Sequence, residues 1–159
     1  MQRNAALRSL RVASNRVRAD GAHLIAELLQ ANGTLSDLDL ANNQLSTGEQ
    51  GGRTCDGVVA LCKSVYSNES VTSLNLASNA LASENIATAK SAGKSKVGRA
   101  LSRVVTSNRS LTNLDVQHNG FEKDVGVQAL LDSFRRNDTL TMLNDKRLDI
   151  VKVQIWDLT

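Results

Sequence analysis

A chain of 159 residues with 41% apolar content can bury one core, so residues 1–159 are expected to form a single domain, free-standing or part of a larger protein or assembly. The formal net charge of +3 is too small to mark a dedicated nucleic-acid binder, and the four aromatic residues (Tyr66, Phe121, Phe134, Trp156) leave the core to Leu, Val, Ile and Ala. Residues 1–6 hold no apolar stretch long enough for a secretory signal, and the longest later run, Val58–Cys62, is too short to span a membrane; a cytoplasmic protein is expected.

One phrase recurs along the chain: Leu7-x-x-Leu10-x-Val12-x-x-Asn15, Leu35-x-x-Leu38-x-Leu40-x-x-Asn43, Val71-x-x-Leu74-x-Leu76-x-x-Asn79 and Leu111-x-x-Leu114-x-Val116-x-x-Asn119. A fifth start, Leu140-x-x-Leu143, degrades where Asp145 replaces the third apolar residue, and reads as a terminal repeat. Alternation such as Leu38-Asp39-Leu40 predicts a short strand with its leucines inward and Asp37, Asp39 and Ala41 outward. A helical pattern follows each asparagine: Leu24, Ile25, Leu28 and Leu29; then Val58, Leu61 and Val65; then Val97, Leu101, Val104 and Val105; then Val127, Leu130, Leu131 and Phe134. Their spacings of three and four are expected to gather each set on one inward face.

The repeated asparagines 15, 43, 79 and 119 are expected to satisfy backbone groups at the strand-to-helix turn, where an amide both donates and accepts. A second set, Asn32, Asn68, Asn108 and Asn137, stands in Asn-x-Thr/Ser just before the next strand. Because these recur once per repeat, turn formation is expected rather than glycosylation. Cys55 and Cys62 lie in no zinc-binding or Cys-x-x-Cys spacing and are expected as reduced thiols.

The phrase, the full helix and the closing Asn-x-Thr/Ser resemble the ribonuclease-inhibitor-like subfamily of leucine-rich repeats over residues 7 to about 145. The resemblance implies an α/β solenoid, a horseshoe arc with parallel strands on its concave side and helices on its convex side. Four repeats begin near 7, 35, 71 and 111, with a degenerate C-terminal one at 140. It also implies binding of proteins without catalysis, and the uncovered first layer and scarcity of aromatic anchors suit a scaffold or structural subunit of an intracellular assembly. Three alternatives stand beside this: a regulator of a small GTPase, tropomodulin-like cytoskeletal capping, and nucleic-acid binding through a basic edge.

The second and third repeats are longer than the others, and the excess lies between strand and helix, at 46–56 and 82–96. The first insertion is glycine-rich and expected to be flexible. From Ile86 to Ser110 the chain carries six basic residues and no acid. Arg16, Arg18, Arg53, Lys90, Lys94 and Lys96 therefore form a candidate basic ledge for an acidic partner surface. The second candidate surface is the outward strand face, with Arg11, Asp37, Asp39, Asn75, Asn113, Asp115 and Gln117. These side chains are mostly short and polar, without the Trp or Tyr anchors of tight interfaces.

No catalytic, cofactor or metal site is expected. Gly93-Lys94-Ser95 lacks the earlier glycine of a phosphate loop, since Thr88 stands there. His23 and His118 differ from their repeat equivalents, but repeat geometry places no carboxylate, Ser or Cys beside either. At the chain's start, Leu7, Leu10 and Val12 with the first helix should leave an apolar flank to be covered by upstream sequence, a second copy or another subunit. At its end, Val151 to Ile155, Trp156 and Leu158 are expected to close the last layer.

Overall fold

The computed structural model of the chain describes residues 4–82, 96–121 and 127–147. Strand and helix alternate: β1 (Ser9–Arg11), α1 (Arg18–Ala31), β2 (Asp37–Asp39), α2 (Asp56–Ser67), β3 (Ser73–Asn75), α3 (Lys96–Ser107), β4 (Asn113–Asp115), α4 (Val127–Arg135), β5 (Met142–Leu143) and β6 (Lys146–Arg147). The strands form one sheet in sequence order, parallel from β1 to β5, with β6 turning back antiparallel. Their register places Leu10, Leu38, Leu74, Leu114 and Leu143 side by side, so each leucine packs on its copy in the next repeat. Strands spaced at about 4.8 Å share their repeats with helices that pack at about 8–10 Å, and that mismatch bends the stack toward the strands.

The helices of repeats two to four bury the residues their spacing indicates, from Val58, Leu61 and Val65 to Val127, Leu130, Leu131 and Phe134. In α1 the expectation is half wrong. Its buried face is Ala19, Ala22, Ala26 and Leu29, whereas Leu24 and Leu28 are 66% and 41% exposed. Leu24 and Leu28 lie one residue, about 100° around the helix, from Ile25 and Leu29, so a spacing of three and four hid two adjacent stripes.

Two asparagine ladders hold the layers together. At the strand-to-helix turns Asn79 donates from Nδ2 to the carbonyls of Leu40, Leu76 and Ala77, and its Oδ1 accepts from the Asn43 and Leu45 amides. Asn119 repeats this against Leu76, Val116 and Gln117, with Oδ1 receiving the Asn79 and Leu81 amides. Each therefore bonds its own turn and that of the preceding repeat. The residue before each ladder asparagine takes a left-handed backbone: Ser14, Asn42, Ser78 and His118 have φ of 59°, 52°, 57° and 55°. That conformation favours Asn, Asp and His among non-glycine residues, which gives His118 a structural reason for its place.

At the other end of the layers, Asn68 donates to the carbonyls of Leu29 and Asn32 while its Oδ1 accepts from the Ser70 and Val71 amides. Asn108 does the same with Val65, Asn68, Ser110 and Leu111, and Asn137 donates to Val105. All three side chains are buried, in accord with the turn role. Cys55 and Cys62 form no disulfide, and burial pushes the Cys62 thiol up to about 12.

The first insertion corrects the expectation of a flexible loop. Thr47 and Arg53 pair antiparallel, Gly48 and Gly52 bond across the hairpin, and the Thr54 amide returns to the Ser46 carbonyl. The Ala19 amide bonds the Thr47 carbonyl, fastening the hairpin to α1. Glycine here serves the tight turn, with Gly51 at φ +76°, rather than mobility. The second insertion and the segment from Val151 to Leu158 lie outside the described residues, apart from its first residue Ala82 and last residue Lys96.

Candidate protein-interaction surfaces

The sheet register builds two rows across the concave face. One runs Ser9, Asp37, Ser73, Asn113 and Met142; the other runs Arg11, Asp39, Asn75 and Asp115. Between the rows, Arg11 donates from Nε and Nη2 to Asp37 Oδ2 at 3.0 and 2.8 Å, and within the first row the Ser9 hydroxyl donates to the same oxygen at 2.9 Å. Burial alone would raise the Asp37 carboxyl, but the bonds from Arg11 and Ser9 and the charge of Arg11 outweigh it and hold the group below its usual range. Asn113 donates to the Ser73 hydroxyl.

In the second row the side chains of Asp39, Asn75 and Asp115 each accept from the amide two residues on, that of Ala41, Ala77 and Gln117, at 3.0, 3.0 and 2.9 Å. Since Asn75 performs this as well as its neighbours, the turn needs an acceptor and not a charge. The charges of Asp39 and Asp115 are thus not required by the fold. Asp115 is also buried, where the strand alternation leads one to expect an outward, open position. Burial first, and then Asp145 and Asp39, raise its carboxyl above the usual range, against the Gln117 amide and His118. Among the described residues no ion pair reaches Asp39 or Asp115.

The raised carboxyl of Asp115 binds its proton more tightly in the folded chain than in the unfolded one. Stability is then fully present at low pH and declines as pH rises through the folded value. Asp115→Asn keeps the acceptor and removes the charge. It is expected to raise stability at pH 7 by about a few tenths of a kcal/mol and to flatten that decline, measured by urea unfolding at several pH values.

Two of the four described edge residues are engaged by backbone. Arg18 is half-buried and donates to the Glu49 carbonyl at 3.3 Å, while Arg53 donates to the Ala80 carbonyl at 3.0 Å. Both tie loops across neighbouring repeats. Arg16 and Lys96 are exposed, and Lys90 and Lys94 lie outside the described residues. Asp145 and His118, which modulate Asp115, were not singled out for the concave face; the degraded fifth repeat hid Asp145 by making it look like a failed core position. Among the described residues no cluster of His, Cys, Asp and Glu could hold a metal, and no helix is long and apolar enough to cross a membrane.

The family model described as Leucine Rich repeat matches residues 67–84 and 107–131. No curated protein matches the chain in sequence. Among solved structures it is similar to the tropomodulin C-terminal domain of Caenorhabditis elegans, with 16% identity over 91% of this chain and 76% of that one and a TM-score of 0.58. It is also similar to Leiomodin-1 Actin-Binding Site 2, with 18% identity over 89% of this chain and 71% of that one and a TM-score of 0.58. At such identities the likeness is one of fold, and with the repeat register it establishes that the chain folds as a leucine-rich-repeat α/β solenoid.

Proposed function

We propose that the protein is a non-catalytic protein-interaction scaffold whose concave face receives a basic segment of its partner. The observation that carries this is the pair Asp39 and Asp115. They flank Asn75 in register, their charges serve no turn, and among the described residues no cation pairs with them, Arg11 being held by Asp37. A Lys or Arg laid across β2 to β4 would relieve the repulsion between these carboxylates. The edge supports the reading less, because Arg18 and Arg53 already bond backbone. Twelve-residue helices α2 and α3, each followed by an Asn-x-Ser turn, support a ribonuclease-inhibitor-like repeat, and unbridged Cys55 and Cys62 support an intracellular setting within a single domain.

A benzophenone amino acid placed at Asn75 and, separately, at the exposed Arg103 of α3 tests the surface. Photolysis in the native cell is expected to give protein adducts from position 75 and none from 103. Adducts from 103 alone would refute the concave reading. A second reading, a cytoskeletal partner, draws on the fold shared with Leiomodin-1 Actin-Binding Site 2. Co-sedimentation with actin filaments tests it, and a chain that stays in the supernatant removes it.

A further inference from the structure

Helix α1 carries a second apolar surface, turned away from the rest of the molecule. Gln30 donates to Ser64, and Ala19 lies against Gly57, so α2 occupies one side of α1. On the opposite side Gly21, Leu24, Leu28 and Ala31 follow one another at steps of three, four and three, the seam of a coiled-coil helix. Leu24 and Leu28 on it are exposed.

The residues on this seam argue against another repeat of the same kind as its occupant. At the position of Leu24 the other repeats carry Ala60, Ala100 and Ala129, and at that of Leu28 they carry the buried Ser64, Val104 and Ser133. A helix packed at the repeat spacing would meet a leucine where every internal layer has an alanine. Leucines on such a stripe instead suit a knobs-into-holes partner at the wider spacing of a coiled coil.

Charge argues further. Asp20 and Glu27 precede Gly21 and Leu28, which places both acids on one flank of the seam. In an antiparallel pairing with a second copy these acids would face each other; in a parallel pairing they would face Ile25 and Asn32, neither of them basic. We infer that the seam of α1 docks an amphipathic helix of a partner, with leucine-like residues on its stripe and Lys or Arg beside them. This site is separate from the concave face and does not rest on that reading.

The test uses two synthetic 21-residue helical peptides with Leu at the seam positions, one flanked by Lys and the other by Glu, titrated into the intact chain by fluorescence anisotropy. The Lys peptide is expected to bind at least about tenfold more tightly than the Glu peptide. L24D/L28D should weaken it at least about tenfold, and D20K/E27K should invert the preference between peptides. Circular dichroism checks that L24D/L28D folds; if it does not, the charge swap alone decides. Equal affinity for both peptides, or no inversion, overturns the proposal. So does Lys-peptide binding that survives L24D/L28D and is lost in D39N/D115N, which would put the peptide on the concave face. Sedimentation showing a dimer that L24D/L28D dissociates would assign the seam to a second copy and likewise overturn it.

Discussion

Asn79→Ala is expected to lower the unfolding free energy by about 3–5 kcal/mol, against less than about 1 kcal/mol for Asn15→Ala. Both asparagines hold the same place in the repeat, so the difference comes from the stack and not from the motif. Removing the Asn79 amide leaves the Asn43 and Leu45 amides and the Leu40, Leu76 and Ala77 carbonyls without this partner, in a turn whose asparagine is 1% exposed. Asn15 is exposed and donates only to the Val12 and Ala13 carbonyls, which water can serve once the side chain is gone. Urea unfolding of the two variants measures the contrast. Equal losses would mean that the ladder does not couple neighbouring repeats.

Gly57→Ala should cost about 3 kcal/mol, while Gly21→Ala, at the equivalent place in the preceding repeat, should be close to neutral. An added Cβ at Gly57 would lie 2.2 Å from the Ala19 carbonyl oxygen and 2.9 Å from its carbon and Cα. Those atoms are backbone within α1, so relief requires moving the helix and opening the layer between α1 and α2. At Gly21 the nearest atom is Val17 Cγ1 at 2.5 Å, part of one β-branched side chain; turning it off its rotamer costs about 1 kcal/mol, which alanine's better helix propensity of about 1 kcal/mol offsets. The third repeat places Val97 at this position, so glycine is demanded by the close approach of two particular helices and not by the repeat itself. Thermal unfolding of both variants, followed by circular dichroism, reads the difference.

The architecture was legible because its signal is periodic. Leucines at 38, 74 and 114 can line up only if each repeat returns the chain to the same register, and the turn asparagines mark where it returns. The failures are equally physical. A spacing of three and four cannot distinguish a buried stripe from its neighbour, which is why the pattern of α1 points Leu24 and Leu28 inward although both are exposed. Glycines in the first insertion indicated freedom, although Thr47 and Arg53 close them into a hairpin. The concave row was readable from outward positions, but the burial of Asp115 was not. Nor was the charge that acts on it from Asp145, delivered by a hairpin between β5 and β6 that the degraded fifth phrase gave no means to foresee.

The proposed binding turns most on the charges of the concave face. The measurement that bears on them directly is the affinity of the partner crosslinked at position 75 for the intact chain and for D39N/D115N. Both substitutions keep the turn acceptors and leave the fold in place, as Asn75 already demonstrates. Affinity is expected to be at least about tenfold weaker in the double variant, together with a reduced dependence on salt. Affinity and salt dependence unchanged by D39N/D115N would contradict it.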